Sequence, residues 1–267
     1  ETDAAGNEIR LDARVGKVAV HALWRRPDRL EIGCDKAAVE ELEELLRPSL
    51  AWGPSGLIAR AFRLRQTTMP RWLARRRLQG IFRADRITAG AAVLSGVEAR
   101  YFWNGPRLEI HLERGVASRG NLAGVLRVDL ATGSPRWSAT GRLTGFSWNG
   151  AEVGVAANLE TEGAGFDAIG ALRAEGEFAA RFGKPAAGVH EASGCFEFRP
   201  AGFGPQLDLP CLRLVTEEAG VLDGWGQVDG LGRIRLELFN GDRWYEASGR
   251  LAPLSLRIRP VKPRGIE

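Results

Sequence analysis

Asn104-Gly105-Pro106-Arg107-Leu108-Glu109-Ile110-His111-Leu112-Glu113 is the stretch on which the fold turns. Leu108, Ile110 and Leu112 share one parity, and Arg107, Glu109, His111 and Glu113 take the other. A period of two with one apolar and one charged side describes a strand whose sheet packs on one face and meets water on the other. The Asn-Gly pair just before it is the strongest short hairpin signal, because a type I′ turn requires positive φ at two successive residues.

The same alternation extends outward in both directions. Leu122, Leu126, Val128 and Leu130 oppose Arg127 and Asp129, and Val153, Val155 and Leu159 form another apolar row. Ile234, Leu236 and Leu238 oppose Arg233, Arg235 and Glu237, and Leu254, Leu256 and Ile258 oppose Ser255, Arg257 and Arg259. Asn149-Gly150 and Asn240-Gly241 sit between such runs, so type I′ hairpins are expected there too. The Asn-Gly sites fall at roughly one and two multiples of about 45 residues, which suggests an internal repeat. Where that period lacks an Asn-Gly, Phe196 to Leu209 accommodates a hairpin around Pro200–Pro205. The fold class is therefore mainly β and antiparallel.

Three helical segments are expected among the strands. Asp35 is a candidate N-cap for a helix over 35–47, with Val39, Leu42, Leu45 and Leu46 on one face and Pro48 after its end. Short helical turns are read at Pro70–Arg77 and from Phe166 to Leu172. This divides the chain into N-terminal strands plus the amphipathic helix (1–69), a β-rich module (70–260) and a tail (261–267).

Composition supports many short strands joined by tight turns. The 34 glycines are nearly double the usual share of roughly 7% and follow no triplet period. The formal charge is +4, but only four of the 37 basic residues are lysine (Lys17, Lys36, Lys184, Lys262), and Arg75-Arg76-Arg77 is the one dense basic run. That is not the footprint of a nucleic-acid groove. No stretch reaches the 18 or so apolar residues of a membrane helix. The chain starts at Glu1 without an initiator Met or an apolar leader, and reads as a soluble piece of a longer or processed protein. Cys34, Cys195 and Cys211 have no CxxC spacing. A Cys195–Cys211 bridge is feasible in an oxidising compartment, but three buried reduced thiols are the expectation.

Recognisable chemistry is missing. There is no GxSxG, HExxH, P-loop or dinucleotide fingerprint. Gly163-Ala164-Gly165 begins like GxGxxG, but Ala168 stands where the third glycine belongs. His21, His111 and His190 have no partners at ligand spacing, and the Asp223–Gly230 run lacks the alternating oxygens of a calcium loop. It reads instead as two Asp-Gly turns around a short strand carrying Trp225 and Val228. A non-enzyme without metal or cofactor is expected. Glycoside processing stays open as an alternative, since paired carboxylates assemble in space. Eight tryptophans suit pleated surfaces and cross-strand pairs. A second alternative is a β-sandwich carbohydrate-binding module with Trp103 and Trp148 as stacking platforms.

Several stretches together resemble the AsmA-like family of Gram-negative envelope proteins. They run from Pro70-Arg71-Trp72-Leu73 through Gly80-Ile81-Phe82, and from Leu94 to Trp103. Gly120-Asn121-Leu122-Ala123-Gly124 leads into the strand ending at Leu130, and Trp137-Ser138-Ala139-Thr140-Gly141 follows. Glu162-Gly163 to Gly176-Glu177-Phe178, and the ending Gly249-Arg250-Leu251-Ala252-Pro253-Leu254, continue the pattern. The resemblance covers roughly residues 70–260 and rests on a diffuse pattern. It implies an elongated, curved antiparallel sheet forming an open apolar groove, in a periplasmic body anchored to the inner membrane by a segment absent from this chain. It further implies a role in phospholipid transport or outer-membrane assembly, with envelope proteins as partners. Lipid-groove candidates are then Leu108, Ile110, Leu112, Leu122, Leu126, Val128, Val153, Val155, Leu159, Leu236 and Leu238.

Overall fold

The computed structural model describes residues 8–15, 18–25, 27–38, 75–89, 92–131, 134–163, 166–186, 188–201 and 204–262. Its contacts group into two compact units, Glu1–Ala139 with Glu162–Ala164, and Thr140–Thr161 with Gly165–Glu267. The first strands are Glu8–Val15 (β1), Val18–Arg25 (β2), Arg29–Ala38 (β3), Arg77–Ala89 (β4), Ala92–Asn104 (β5), Arg107–Ala117 (β6), Gly120–Asp129 (β7) and Arg136–Trp148 (β8). Then come Ala151–Glu162 (β9), Arg173–Ala186 (β10), Val189–Ala201 (β11), Gly204–Thr216 (β12), Gly220–Val228 (β13), Arg233–Asn240 (β14), Arg243–Arg250 (β15) and Ser255–Val261 (β16). They form one open sheet whose spatial order is the chain order. The expected mainly β, antiparallel architecture is what the chain adopts, with one exception. β3 and β4 run parallel, Ile32 opposite Phe82 and Ala37 opposite Ile87. A parallel step needs a connection of a dozen or more residues, and the segment from 39 to 76 supplies it.

The expected helix over 35–47 is corrected at its start. Asp35 to Ala38 are the end of β3, where Lys36 pairs with Arg86 and Ala38 with Thr88. Pairing with β4 decides these four residues, overriding the helical preference of Lys36, Ala37 and Ala38. Residues 39–47 lie outside the described residues, as do 70–74 of the second expected helical turn. Arg75 sits in a turn and Arg77 opens β4, so that turn does not extend to Arg77. The third is present as a six-residue helix, Phe166–Ala171 (α1).

Turn chemistry splits where the sequence read uniformly. Asn149 and Gly150 both have positive φ, 47° and 80°, and form the expected type I′ loop between β8 and β9. Asn104 and Asn240 instead end their strands, paired with Arg107 and Arg243. Gly105 and Gly241, each at φ 57°, become the first loop residue, the type II′ arrangement. β11 and β12 form the hairpin expected around Pro200–Pro205, with Pro200 opposite Pro205. Asp223-Gly224 is not a turn but the middle of β13, where Asp223 faces Arg213 at 2.7 Å. Gly224 is needed there because a Cβ would stand 2.0 Å from the Glu237 carbonyl oxygen. Asp229 does turn the chain, its carboxylate accepting from the Leu231 and Arg233 amides.

In the first unit Val18, Cys34, Ala37, Ala84 and Val97 form the core. Tyr101 crosses β4 over Gly80 and donates its hydroxyl to the Leu30 carbonyl at 2.5 Å. A Cβ at Gly80 would sit 1.7 Å from that carbonyl oxygen. Burial pushes the Tyr101 phenol up to about 12. The larger core belongs to the second unit, around Leu214, Leu222, Leu236 and Leu238.

The cysteines also differ from expectation. Cys195 on β11 and Cys211 on β12 are directly opposite, with Cα atoms 5.2 Å apart, and are disulfide-bonded. Neither is in the core, because Phe196 and Leu212 take the inner face beside them. Only Cys34 is a buried free thiol, and burial raises its pKa. The bridge closes a loop of 16 residues, and chain entropy puts such a closure at about 3 kcal/mol. Reduction, or Cys195→Ser with Cys211→Ser, is expected to lower the urea stability of the second unit by about that amount. A loss below about 0.5 kcal/mol would contradict a stabilising cross-link.

Candidate functional site

Side chains of one parity in the second unit converge on a cleft of about 350 Å³. Val153 and Val155 come from β9, Phe178, Ala180 and Phe182 from β10, and Phe196 from β11. Leu207, Leu209, Leu212 and Leu214 of β12 add the largest share, and Leu236 of β14 and Leu254 and Leu256 at β16 complete it. Every lining side chain is apolar, and the Trp148 indole carries the only nitrogen among them.

β9 and β16 stand seven places apart in the sheet, about 34 Å if it were flat at ~4.8 Å per strand. Both line the same cleft, so this section of the sheet curls round it. Glycine on the inner parity permits the curl. Gly176 precedes Phe178 on the cleft side of β10, and a Cβ there would lie 2.1 Å from the Ala156 carbonyl oxygen on β9. The β12 register slips between Leu209 and Leu212, so both sides of the slip present leucine to the cleft.

The groove candidates distribute as follows. Val153, Val155 and Leu236 line the cleft. Leu238 is fully enclosed in the core beneath it, and Leu159 lies further along β9 outside the lining. Leu108, Ile110 and Leu112 lie in the first unit, where Leu108 faces Val128 and Ile110 faces Leu126 across β6 and β7. Leu122 is on β7. Sequence reasoning did not single out Phe178, Phe182, Phe196 or the β12 leucines for this site. Alternation at Phe178, Ala180 and Phe182 was a usable signal, whereas the slip after Leu209 hides β12 from any strict period of two.

The polar face carries charges in pairs. Arg83 meets Glu98 at 3.0 Å, Arg181 meets Glu191 at 2.9 Å and Arg213 meets Asp223 at 2.7 Å. Each histidine has a carboxylate partner: His21 with Asp12 at 2.6 Å, His111 with Glu109 at 2.6 Å, and His190 with Glu217 at 3.4 Å. The Asp12 hydrogen bond raises the His21 pKa. Among the described residues no three His, Cys, Asp or Glu side chains gather as a metal site. Trp103 Nε1 donates to the Gly105 carbonyl at 2.8 Å and braces its hairpin, while Trp148 lines the cleft. Of the two indoles suggested as sugar platforms, Trp103 is thus hydrogen-bonded within its own hairpin and Trp148 faces the cleft. No known protein family, curated protein or solved structure matches the chain.

Proposed function

We propose that the protein is a non-catalytic lipid-binding module whose apolar cleft holds acyl chain during phospholipid transport or outer-membrane assembly. The observation that carries this reading is the wholly apolar lining of the cleft. Its volume is at the small end of ligand sites, roughly 300–1,000 Å³, which suits a single acyl tail. About ten methylenes at ~0.8 kcal/mol each gain on the order of 8 kcal/mol before association costs, with no polar contact required. A sugar or nucleotide in the same place would leave polar groups unpaired, at about 1–3 kcal/mol apiece.

The resemblance to AsmA-like envelope proteins supports the same assignment, as an elongated repeating β-groove. On this reading the chain works in the periplasm, is tethered to the inner membrane through a segment outside it, and meets other envelope proteins. The Cys195–Cys211 bridge is in keeping with an oxidising compartment. The first-unit rows Leu108, Ile110, Leu112 and Leu122, Leu126, Val128 are a second candidate lipid-facing stretch.

Binding of the fluorescent fatty acid cis-parinarate tests the proposal, together with native mass spectrometry of the purified chain for retained phospholipid. Ala180 stands between Val153 and Ala192 in the cleft wall. Ala180→Trp fills that space with apolar volume and is expected to weaken parinarate binding at least tenfold. Val155→Asp is expected to do the same by placing a charge in the lining. Retention of full binding by both variants would refute the cleft as the lipid site.

A further inference from the structure

The face of the second unit opposite the cleft carries a groove of about 840 Å³ over β13 to β16. Two cross-strand rows build it. Gln227, Arg235, Ser248 and Arg257 stand opposite one another on successive strands, and Trp225, Glu237, Glu246 and Arg259 form the next row. Elsewhere on this face Arg213 and Arg181 each pair with a carboxylate directly across the ladder, Asp223 and Glu191, and within the groove Arg259 has Glu246 opposite it. Arg235 and Arg257 both flank Ser248, about 10 Å apart at the backbone on strand spacing, and neither makes an ion pair among the described residues. Glu237 faces Glu246 in the neighbouring row, and Glu246 faces Arg259 on its other side.

Beside these rows stands an aromatic wall. Trp225 is 41% exposed, its ring 6.1 Å from Trp244 in an edge contact and 6.2 Å from Phe239. No core needs these rings, since the apolar face lies on the other side of the sheet. The groove thus combines an exposed indole, two arginines on the strands either side of a serine, and a carboxylate. Guanidinium forks suit carboxylate or phosphate, and indole faces suit the C–H faces of sugar rings.

We infer that this groove binds an acidic oligosaccharide. The anionic group sits over Ser248 between Arg235 and Arg257, one ring stacks on Trp225, and Glu237 accepts from hydroxyls. This site is separate from the acyl-binding cleft and does not depend on it.

Isothermal titration of the whole chain with trigalacturonate tests the inference, with maltotriose and inorganic phosphate as comparison ligands. Trigalacturonate is expected to bind at least tenfold more tightly than either. Arg235→Ala, Arg257→Ala and Trp225→Ala are each expected to weaken it at least tenfold while leaving parinarate binding and the thermal midpoint unchanged. Failure of trigalacturonate to bind overturns the inference. So does maltotriose or phosphate binding as tightly as trigalacturonate, or undiminished binding by the three variants.

Discussion

Leu238→Ala is expected to lower the stability of the second unit by about 2–5 kcal/mol, a large share of the roughly 5–15 kcal/mol that holds a domain folded. Leu238 is wholly enclosed. It stands opposite Gly224 on β13 and Tyr245 on β15, so ladders on both sides fix the backbone around it. The neighbours therefore have little freedom to close the void, and the cavity cost adds to the lost transfer energy. Val155→Ala is the control. Val155 already faces an open cleft, so its truncation forfeits little beyond transfer energy, about 1 kcal/mol. Urea unfolding followed by tryptophan fluorescence separates the two. Equal losses would show that Leu238 is no more enclosed than the cleft wall.

Gly176→Val is the second large effect, at about 3 kcal/mol, with collapse of acyl binding as its companion. The added Cβ would meet the Ala156 carbonyl oxygen at 2.1 Å and the Ala157 Cα at 2.8 Å, both backbone atoms of the adjoining strand. Neither can rotate away, so β9 and β10 must part where they carry Val155 and Phe178 into the cleft. Gly183→Val on the same strand is the comparison, because its nearest neighbour, the Gly150 carbonyl oxygen, is 3.9 Å away. That change is expected to stay within about 0.5 kcal/mol. Equal destabilisation by the two would mean that strand propensity, not the close approach, governs β10.

The strands were legible in the sequence because their one-sided burial imprints a period of two, clearest at Leu108 to Leu112 and Ile234 to Leu238. Three hairpin positions were legible for a related reason: glycine marks the positive φ at Gly105, Gly150 and Gly241, whereas the β6–β7 loop takes positive φ at Ser118 and Arg119 without such a mark. Whether Asn or Gly leads the loop was not legible, since it depends on where the last cross-strand pair closes. Asn104 and Asn240 were captured by the ladder, while Asn149 was left outside it. The start of the expected helix failed at Asp35 because a parallel partner far along the chain claimed those residues, and local preference carries no trace of such pairing.

For the cleft, Val153, Val155 and Leu236 could be read from alternation alone. The β12 contribution could not, because the slip between Leu209 and Leu212 moves the apolar parity from odd to even numbers. Cys195 and Cys211 were misjudged for want of the register that sets them opposite each other. Trp225 read as an ordinary strand residue. Its significance comes from Phe239 and Trp244, which only the pairing of three strands brings beside it.

The agreement between sheet order and chain order has a consequence for how the protein is made. Each strand needs only its predecessor in place before it docks, so the sheet can be laid down vectorially as the chain emerges. Loop-closure entropy at most additions is that of a short turn and does not grow with the length already built. Inserting or deleting a hairpin at such a turn would change the reach of the sheet without rewiring the pairs on either side. The junction of β3 and β4 is the exception, since its long connection must close before the next rung can form.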